Sequence, residues 1–190
     1  MNPDYTPKSL KELEANEFKD LPAKPGVYIV FWFRGGRPAP IPRILGVDER
    51  GTLYIGSAGK SKTKGRAKSV SRVKGLRDRI RELWISIKMA YGLKERGRYP
   101  HTFGPSLVYT GLCKVINAED LWIYYKVFDE CEAEYQERLA ILEHTRGYGE
   151  PPPLNLQVGR QYFMLLDLGE LDKSRLVGEL DPDLQLALGL

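Results

Sequence analysis

Two short apolar segments each place a tyrosine next to a glycine. The first runs from Gly26 to Phe33, and the second, Leu53-Tyr54-Ile55-Gly56, follows about twenty-five residues later. Their β-branched and aromatic residues favour strands, and a glycine is a common strand end. The first segment is too apolar for a solvent-facing edge, which is typical of a central strand. The sequence therefore predicts two buried strands that carry Tyr28 and Tyr54.

The rest of the chain alternates between helix and strand patterns. Apolar residues at helical spacing predict a helix that begins at Leu76, and a longer helix is predicted from Asp129 to about Arg146. Leu121–Phe128 is a further predicted strand, and residues 103–116 are weakly helical. Residues 44–56 are predicted to form a hairpin.

The length and composition suit one globular domain with additions at its ends. The chain has 190 residues, of which 42% are hydrophobic and 28% are charged. We expect an N-terminal arm over residues 1–21, a domain over residues 22–157 and a C-terminal tail over residues 158–190. The tail is leucine-rich and net acidic, which suits either a docking tail or a partner-binding helix. A protein partner, or self-association, is therefore predicted for it.

Several classes of protein are not expected from this composition. No apolar run is long enough to cross a bilayer, and the polar N-terminus does not resemble a signal peptide. Cys113 and Cys131 are too few for a disulfide framework, which favours a reducing cytoplasm. No Cys/His cluster has zinc spacing, so a structural zinc site is not predicted.

One dense basic block dominates the charge pattern. The net charge is only +4, but Lys60 to Arg98 contains 14 Lys or Arg against three acids, and the rest of the chain has 15 basic and 22 acidic residues. A chain polarised in this way is expected to bind a polyanion, here DNA, with one face. The alternative is a solvated segment without a partner. The predicted phosphate contacts are Lys60, Lys62, Lys64, Arg66, Lys68 and Lys74.

Together, these segments resemble the GIY-YIG endonuclease superfamily. Gly26-Val27-Tyr28 and Tyr54-Ile55-Gly56 match its two named motifs, and Gly75–Ile80 resembles the helical segment that carries its catalytic arginine, here Arg79. The strand and helix after residue 120 lie where the family has its third strand and its glutamate helix. Pro153-Leu154-Asn155 resembles the end of the family domain. The likeness covers roughly residues 22–157.

The resemblance implies a small α+β domain, with a three-stranded antiparallel sheet flanked by helices. In the family the two tyrosines, the arginine, a glutamate and the asparagine converge on one face. The glutamate holds one divalent metal, Mg²⁺ or Mn²⁺, and the site hydrolyses phosphodiester bonds. The expected substrate is double-stranded DNA.

The resemblance also implies a role for each matching residue. Tyr28 is the expected general base, and Tyr54 is expected to position water or phosphate. Arg79 offers a cationic fork for the developing phosphoryl charge. Asn155 is expected to support the site rather than to react. Gly26 and Gly56 are the structural glycines of the two motifs.

The metal-binding glutamate remains open between two residues of the same predicted helix. Glu137 has the expected distance from the preceding strand and is followed by Ala140 and Ile141, as in the family pattern. Glu143 stands twelve residues before Asn155, a spacing common in the family, whereas Glu137 stands eighteen before it. We favour Glu137 and expect Glu143 to be a solvated helix charge.

A histidine or tyrosine usually lies one turn after the arginine in the family, but here Leu83 and Trp84 occupy that turn. His101 is the candidate to take the role from a loop, with a surface histidine as the alternative. Two rival functions also remain: a catalytically inactive nucleic-acid-binding module with this fold, and a structural protein whose basic loop is incidental.

Overall fold

The computed structural model describes residues 6–59, 74–95, 97–156 and 179–190. The strands in these ranges are β1 (Lys8–Ser9), β2 (Gly26–Arg34), β3 (Arg37–Pro38), β4 (Ile41–Arg43), β5 (Gly46–Asp48), β6 (Thr52–Ala58) and β7 (Leu121–Val127). The helices are α1 (Leu10–Ala15), α2 (Leu76–Ala90), α3 (Phe103–Tyr109), α4 (Glu130–Tyr148) and α5 (Pro182–Leu188). Helices and antiparallel sheets together make the fold α+β, as predicted.

The main sheet is built around β2, which confirms that this segment is a central strand. β2 pairs antiparallel with β6 and with β7. The sheet has five strands, however, so the prediction of three was wrong. The two additional strands have two residues each. β1 pairs with the free edge of β7, and β3 folds back on β2 through Gly35 and Gly36, which both have positive φ.

A hydrophobic core covers each face of this sheet. Because side chains alternate along a strand, β2 directs Tyr28 and Val30 to one core, and Ile29 and Phe31 to the other. Helices α1, α2 and α3 cover the first face, and α4 and α5 cover the second. This arrangement explains why β2 is apolar at every position rather than at every second one.

The hairpin predicted over residues 44–56 is wrong. β4 instead pairs with β5 in a separate two-stranded sheet with its turn at Ile44–Leu45, and β6 joins the main sheet. The buried Asp48 carboxylate accepts hydrogen bonds from the backbone N–H groups of Arg50, at 2.9 Å, and Thr52, at 2.8 Å. These side-chain bonds hold a turn between β5 and β6 that separates the two strands.

Both ends of the described chain pack into the two cores. Leu10 and Leu13 of α1 are buried in the first core, and Leu184 and Leu188 of α5 are buried in the second. Lys126 on β7 forms ion pairs with two aspartates at the start of α5. None of the described helices has both the length and the apolar character needed to cross a membrane.

Candidate active site

Tyr28 on β2 and Tyr54 on β6 lie side by side on the face covered by α2 and α3. Their ring centroids are 6.1 Å apart. Tyr28 is fully buried and Tyr54 is 9% exposed. Tyr28 lies opposite Gly56 in the ladder, and Tyr54, two residues before Gly56, therefore points to the same face. The antiparallel register thus brings together two tyrosines that are distant in sequence.

Each motif glycine allows a close approach: Gly56 that of the two tyrosines, and Gly26 that of the neighbouring strand. A Cβ atom on Gly56 would lie 2.6 Å from the Tyr28 hydroxyl oxygen and 2.7 Å from Cε1 of Tyr54. A Cβ atom on Gly26 would lie 2.2 Å from the carbonyl oxygen of Lys126 on the neighbouring strand. Any larger residue at Gly56 would push the tyrosines apart.

Arg79 reaches the tyrosine pair from α2. Its Nη1 atom lies 3.5 Å from Oε2 of Glu82, one turn further along the helix. Burial lowers the pKa of Arg79, but the oxygens of Tyr28, Tyr54 and Glu82 outweigh it and raise that pKa above its ordinary value. Arg79 is therefore a permanent cation between the tyrosines and Glu82.

Burial and local charge keep both tyrosines in the neutral form. Burial raises the pKa of Tyr28 well above 10.0, Tyr54 and Glu137 add to the rise, and Arg79 opposes it. Burial is also the main reason that the pKa of Tyr54 is raised, with Glu137 again adding and Arg79 opposing. One carboxylate and one guanidinium thus act on both phenols.

His101 lies in the loop before α3, and it is buried rather than on the surface. Its Nε2 lies 2.7 Å from the Tyr28 hydroxyl oxygen. Burial and the charge of Arg79 lower the pKa of His101 to about 2, so the imidazole is neutral at ordinary pH. Its Nδ1 accepts a hydrogen bond from the backbone N–H of Phe103 at 3.0 Å. A neutral imidazole has a single N–H, which is therefore on Nε2 and donates to the Tyr28 oxygen.

Ser86 on α2 holds this histidine in place. Its hydroxyl donates to the carbonyl oxygen of His101 at 2.8 Å and lies 2.9 Å from the backbone N–H of the same residue. The loop histidine is thereby fixed to the helix that carries Arg79. A lone histidine in a basic loop gave no sequence signal for this bond, because the partner serine lies fifteen residues earlier.

Of the two glutamates, Glu137 is the one whose charge acts on the tyrosines, from α4 on the opposite face of the sheet. Glu137 is half-buried on α4, its carboxylate raises the pKa of both tyrosines, and its Oε2 accepts a hydrogen bond from the Ser57 hydroxyl at 2.6 Å. Glu143 instead pairs with Arg146 on the surface of α4 at 2.5 Å. Ser57 was not predicted, although it directly follows the second motif.

The oxygen atoms around Glu137 fit a hard divalent cation. They comprise one carboxylate and the Ser57 hydroxyl, and Mg²⁺ prefers oxygen ligands while keeping several of its waters. No group of three or more His, Cys, Asp or Glu residues at metal-binding distance occurs within the described ranges. The donor set therefore suits a water-rich Mg²⁺ or Mn²⁺ on one glutamate, and metal binding stays a prediction.

Asn155 supports β6 from behind the site. Its side-chain oxygen accepts a hydrogen bond from the backbone N–H of Ile55 at 2.9 Å, and its side-chain nitrogen donates to the Ile55 carbonyl oxygen at 2.7 Å. The buried amide therefore acts as a neighbouring strand for the residue between Tyr54 and Gly56. Asn155 is a positioning residue in this arrangement.

Five of the six predicted phosphate contacts, Lys60, Lys62, Lys64, Arg66 and Lys68, lie outside the described residues. Lys74 is described, and its ammonium pairs with Glu82, the same carboxylate that pairs with Arg79. Glu82 was not predicted as part of the site. Its position three residues after Arg79 on one helix was the available signal.

Comparisons with known proteins add no relatives. Neither the protein-family models, nor the curated proteins, nor the solved structures contain a match to this chain.

Proposed function

We propose that this chain is a metal-dependent DNA endonuclease of the GIY-YIG kind, which hydrolyses phosphodiester bonds at a single-metal site. One observation carries the proposal: Tyr28 and Tyr54 pack as a buried pair with ring centroids 6.1 Å apart, and Arg79 and Glu137 shift the pKa of both in opposite directions. A carboxylate for a metal, a cation for phosphate and hydroxyls for water are the groups that phosphodiester hydrolysis requires. The GIY-YIG fold is part of the same proposal.

Arg79 binds the phosphate in this mechanism. Its permanent charge lies beside both tyrosines, and a planar guanidinium can donate two parallel hydrogen bonds to phosphoryl oxygens. The interaction strengthens as negative charge develops on those oxygens, which stabilises the transition state. Glu82 holds the guanidinium from the side.

Tyr28 would receive the proton of the attacking water as a phenolate, after its own phenol proton has left to bulk water. The N–H of His101 already donates to the Tyr28 oxygen, so the phenol proton must point away from the imidazole. The same N–H, together with Arg79, stabilises the phenolate form when it is needed. His101 therefore positions Tyr28 and does not itself exchange a proton, because its pKa is about 2.

Glu137 would hold the Mg²⁺ or Mn²⁺ ion, which would supply Lewis acidity and a positive charge. Ser57 orients the Glu137 carboxylate through its hydrogen bond. Tyr54 packs against Tyr28 and is the hydroxyl that positions water or phosphate. We further propose that the basic block over residues 60–98 binds the DNA backbone and that the protein is cytoplasmic.

A second candidate function is a nucleic-acid-binding module that does not cleave. The observation that favours it is the pKa of Tyr28, which is far above the range of an effective base at neutral pH. In the endonuclease, a cation bound at Glu137 would offset the carboxylate charge that helps to raise the pKa of Tyr28. In the binding module, that charge would not be offset.

Plasmid cleavage in Mg²⁺ or Mn²⁺ separates the two functions. The wild type should convert supercoiled plasmid to nicked or linear forms, and Arg79→Ala should reduce the rate by about 10²-fold or more. Glu137→Gln should abolish cleavage while DNA binding remains, and Glu143→Gln, on the same helix, should cleave like the wild type. A wild type that binds plasmid but leaves it supercoiled would establish the binding module.

A further inference from the structure

One side of α3 faces solvent, and the C-terminal end of that side has exposed apolar side chains. The buried side packs on the first core through Phe103 and Leu107. On the outer side, Tyr109 is 85% exposed and Val108 is 46% exposed, and Val115 from the following turn is 66% exposed. A tyrosine with most of its ring in solvent, beside two exposed valines, is a surface suited to contact with another molecule.

The start of α3 is fixed in the candidate active site. The Phe103 ring packs edge-on against Tyr54, with the centroids 5.6 Å apart. A Cβ atom on Gly104 would lie 2.3 Å from the carbonyl oxygen of Ser86, so α3 lies directly against α2. From Phe103 to Tyr109 the helix advances ~9 Å, at 1.5 Å per residue. Phe103 thus fixes one end of α3 against Tyr54, and Tyr109 lies at the other end of the same helix.

The charge around this surface is that of a polyanion-binding segment. Residues 91–118 contain four Lys or Arg and one acid. Arg98 and Lys114 are exposed on either side of α3 in sequence. An exposed aromatic ring on a segment rich in cations suits a nucleic-acid strand, in which sugars alternate with phosphates.

We propose that Arg98, Val108, Tyr109, Lys114 and Val115, here called the α3 surface, bind the DNA duplex beside the cleaved phosphate. The Tyr109 ring packs against the sugars of one strand of the duplex, and the two cations bind the phosphates of that strand. This inference rests on the proposed function for the position of the cleaved bond. Apart from Arg98, which ends the basic block, the residues of this surface are separate from that block and from the residues of the chemistry.

Binding of a fluorescently labelled duplex without divalent metal tests the α3 surface independently of cleavage. Tyr109→Ala should raise the Kd about tenfold, because burial of about 50 Å² of apolar ring surface contributes on that scale, whereas Tyr109→Phe should bind within about twofold of the wild type. Ile44→Ala is the matched control, since Ile44 is 70% exposed on a different sheet. It should not change the Kd.

The salt dependence of binding distinguishes the two kinds of contact. Arg98→Ala and Lys114→Ala should each reduce the slope of log Kd against log salt by about one, and Tyr109→Ala should leave that slope unchanged. Circular dichroism of each variant verifies that the fold is intact.

The outcomes separate this proposal from the proposed function. Tyr109-dependent DNA binding by a protein that fails to cleave plasmid would support the α3 surface and overturn the hydrolysis. Cleavage and binding that are both unaffected by Tyr109→Ala would overturn the α3 surface alone. A change in oligomeric state on Tyr109→Ala, with DNA binding unchanged, would overturn it in favour of a protein interface.

Discussion

Ser57 decides how the Glu137 carboxylate is presented. The residue is only 5% exposed, and its hydroxyl donates a hydrogen bond to Oε2 of Glu137 at 2.6 Å. Partners that orient a metal ligand in this way are typically worth 10- to 100-fold in metal affinity. Ser57→Ala should therefore raise the Mg²⁺ concentration for half-maximal cleavage by about tenfold, which a metal titration of the cleavage rate measures.

The control for this prediction is another buried serine. Ser9 is 6% exposed and its side chain makes no capping hydrogen bond at the start of α1. Ser9→Ala should leave the Mg²⁺ requirement unchanged. If Ser57→Ala also leaves it unchanged, the hydrogen bond to Glu137 has no role in metal binding.

His101 should make stability depend on pH. Its pKa is about 2 in the folded protein, below the ordinary value of 6.5 that applies after unfolding. Below pH 6.5 the unfolded chain therefore binds a proton that the folded chain does not, and stability falls as the pH falls towards 2. The loss is about 1.4 kcal/mol for each pH unit.

Urea unfolding of the wild type and of His101→Gln between pH 7.5 and pH 4.5 measures this effect. Glutamine has no titrating group, so the stability advantage of the wild type should shrink as the pH falls. Parallel stability curves for the two proteins would show that His101 is protonated in the folded state.

At the scale of elements, α5 is part of the fold. Leu184 is fully buried in the second core, whereas Leu186, two residues later, is 36% exposed. Leu184→Ala should therefore lower the free energy of unfolding by about 2–5 kcal/mol, and Leu186→Ala should change it by less than ~1 kcal/mol. Chemical denaturation of both variants checks the contrast.

Equal and small effects of the two leucine substitutions would contradict the packing of α5. They would instead indicate a C-terminal segment that is free to dock elsewhere, which is one of the two interpretations of the tail from sequence. Asp181, at the start of α5, accepts hydrogen bonds from two backbone N–H groups of the helix and pairs with Lys126.

For the whole molecule, the sequence predicted the long elements because each has a local signal. α2 and β2 have uninterrupted apolar patterns, and both form where they were expected. The strands β1 and β3 were missed because two residues have no periodicity, and their pairing depends on a free sheet edge and a glycine turn. The hairpin error has a similar cause, since the buried Asp48 carboxylate replaces cross-strand pairing.

The candidate site was predictable to the extent that its residues belong to motifs. Tyr28 and Tyr54 were found by their adjacent glycines. The choice between Glu137 and Glu143 depends on the rotation of α4 against β6, which a sequence does not determine. Glu82 had a local signal, three residues after Arg79 on one helix, whereas the role of Ser57 and the buried position of His101 arise from tertiary contacts alone.

The most direct test removes one oxygen atom from the site. Tyr28→Phe keeps the buried ring and loses only the hydroxyl that is expected to receive the proton of the attacking water. Its matched control is Tyr125→Phe, because Tyr125 lies opposite Tyr28 in the ladder and its hydroxyl is 3.5 Å from the Asp20 carbonyl oxygen. Both variants should bind duplex DNA like the wild type.

The measurement is the single-turnover rate of duplex cleavage in Mg²⁺. We predict that Tyr28→Phe lowers this rate about 10²- to 10⁴-fold, the range for loss of a general base, and that Tyr125→Phe leaves it unchanged. A Tyr28→Phe protein that cleaves at the wild-type rate would contradict the proposed active site.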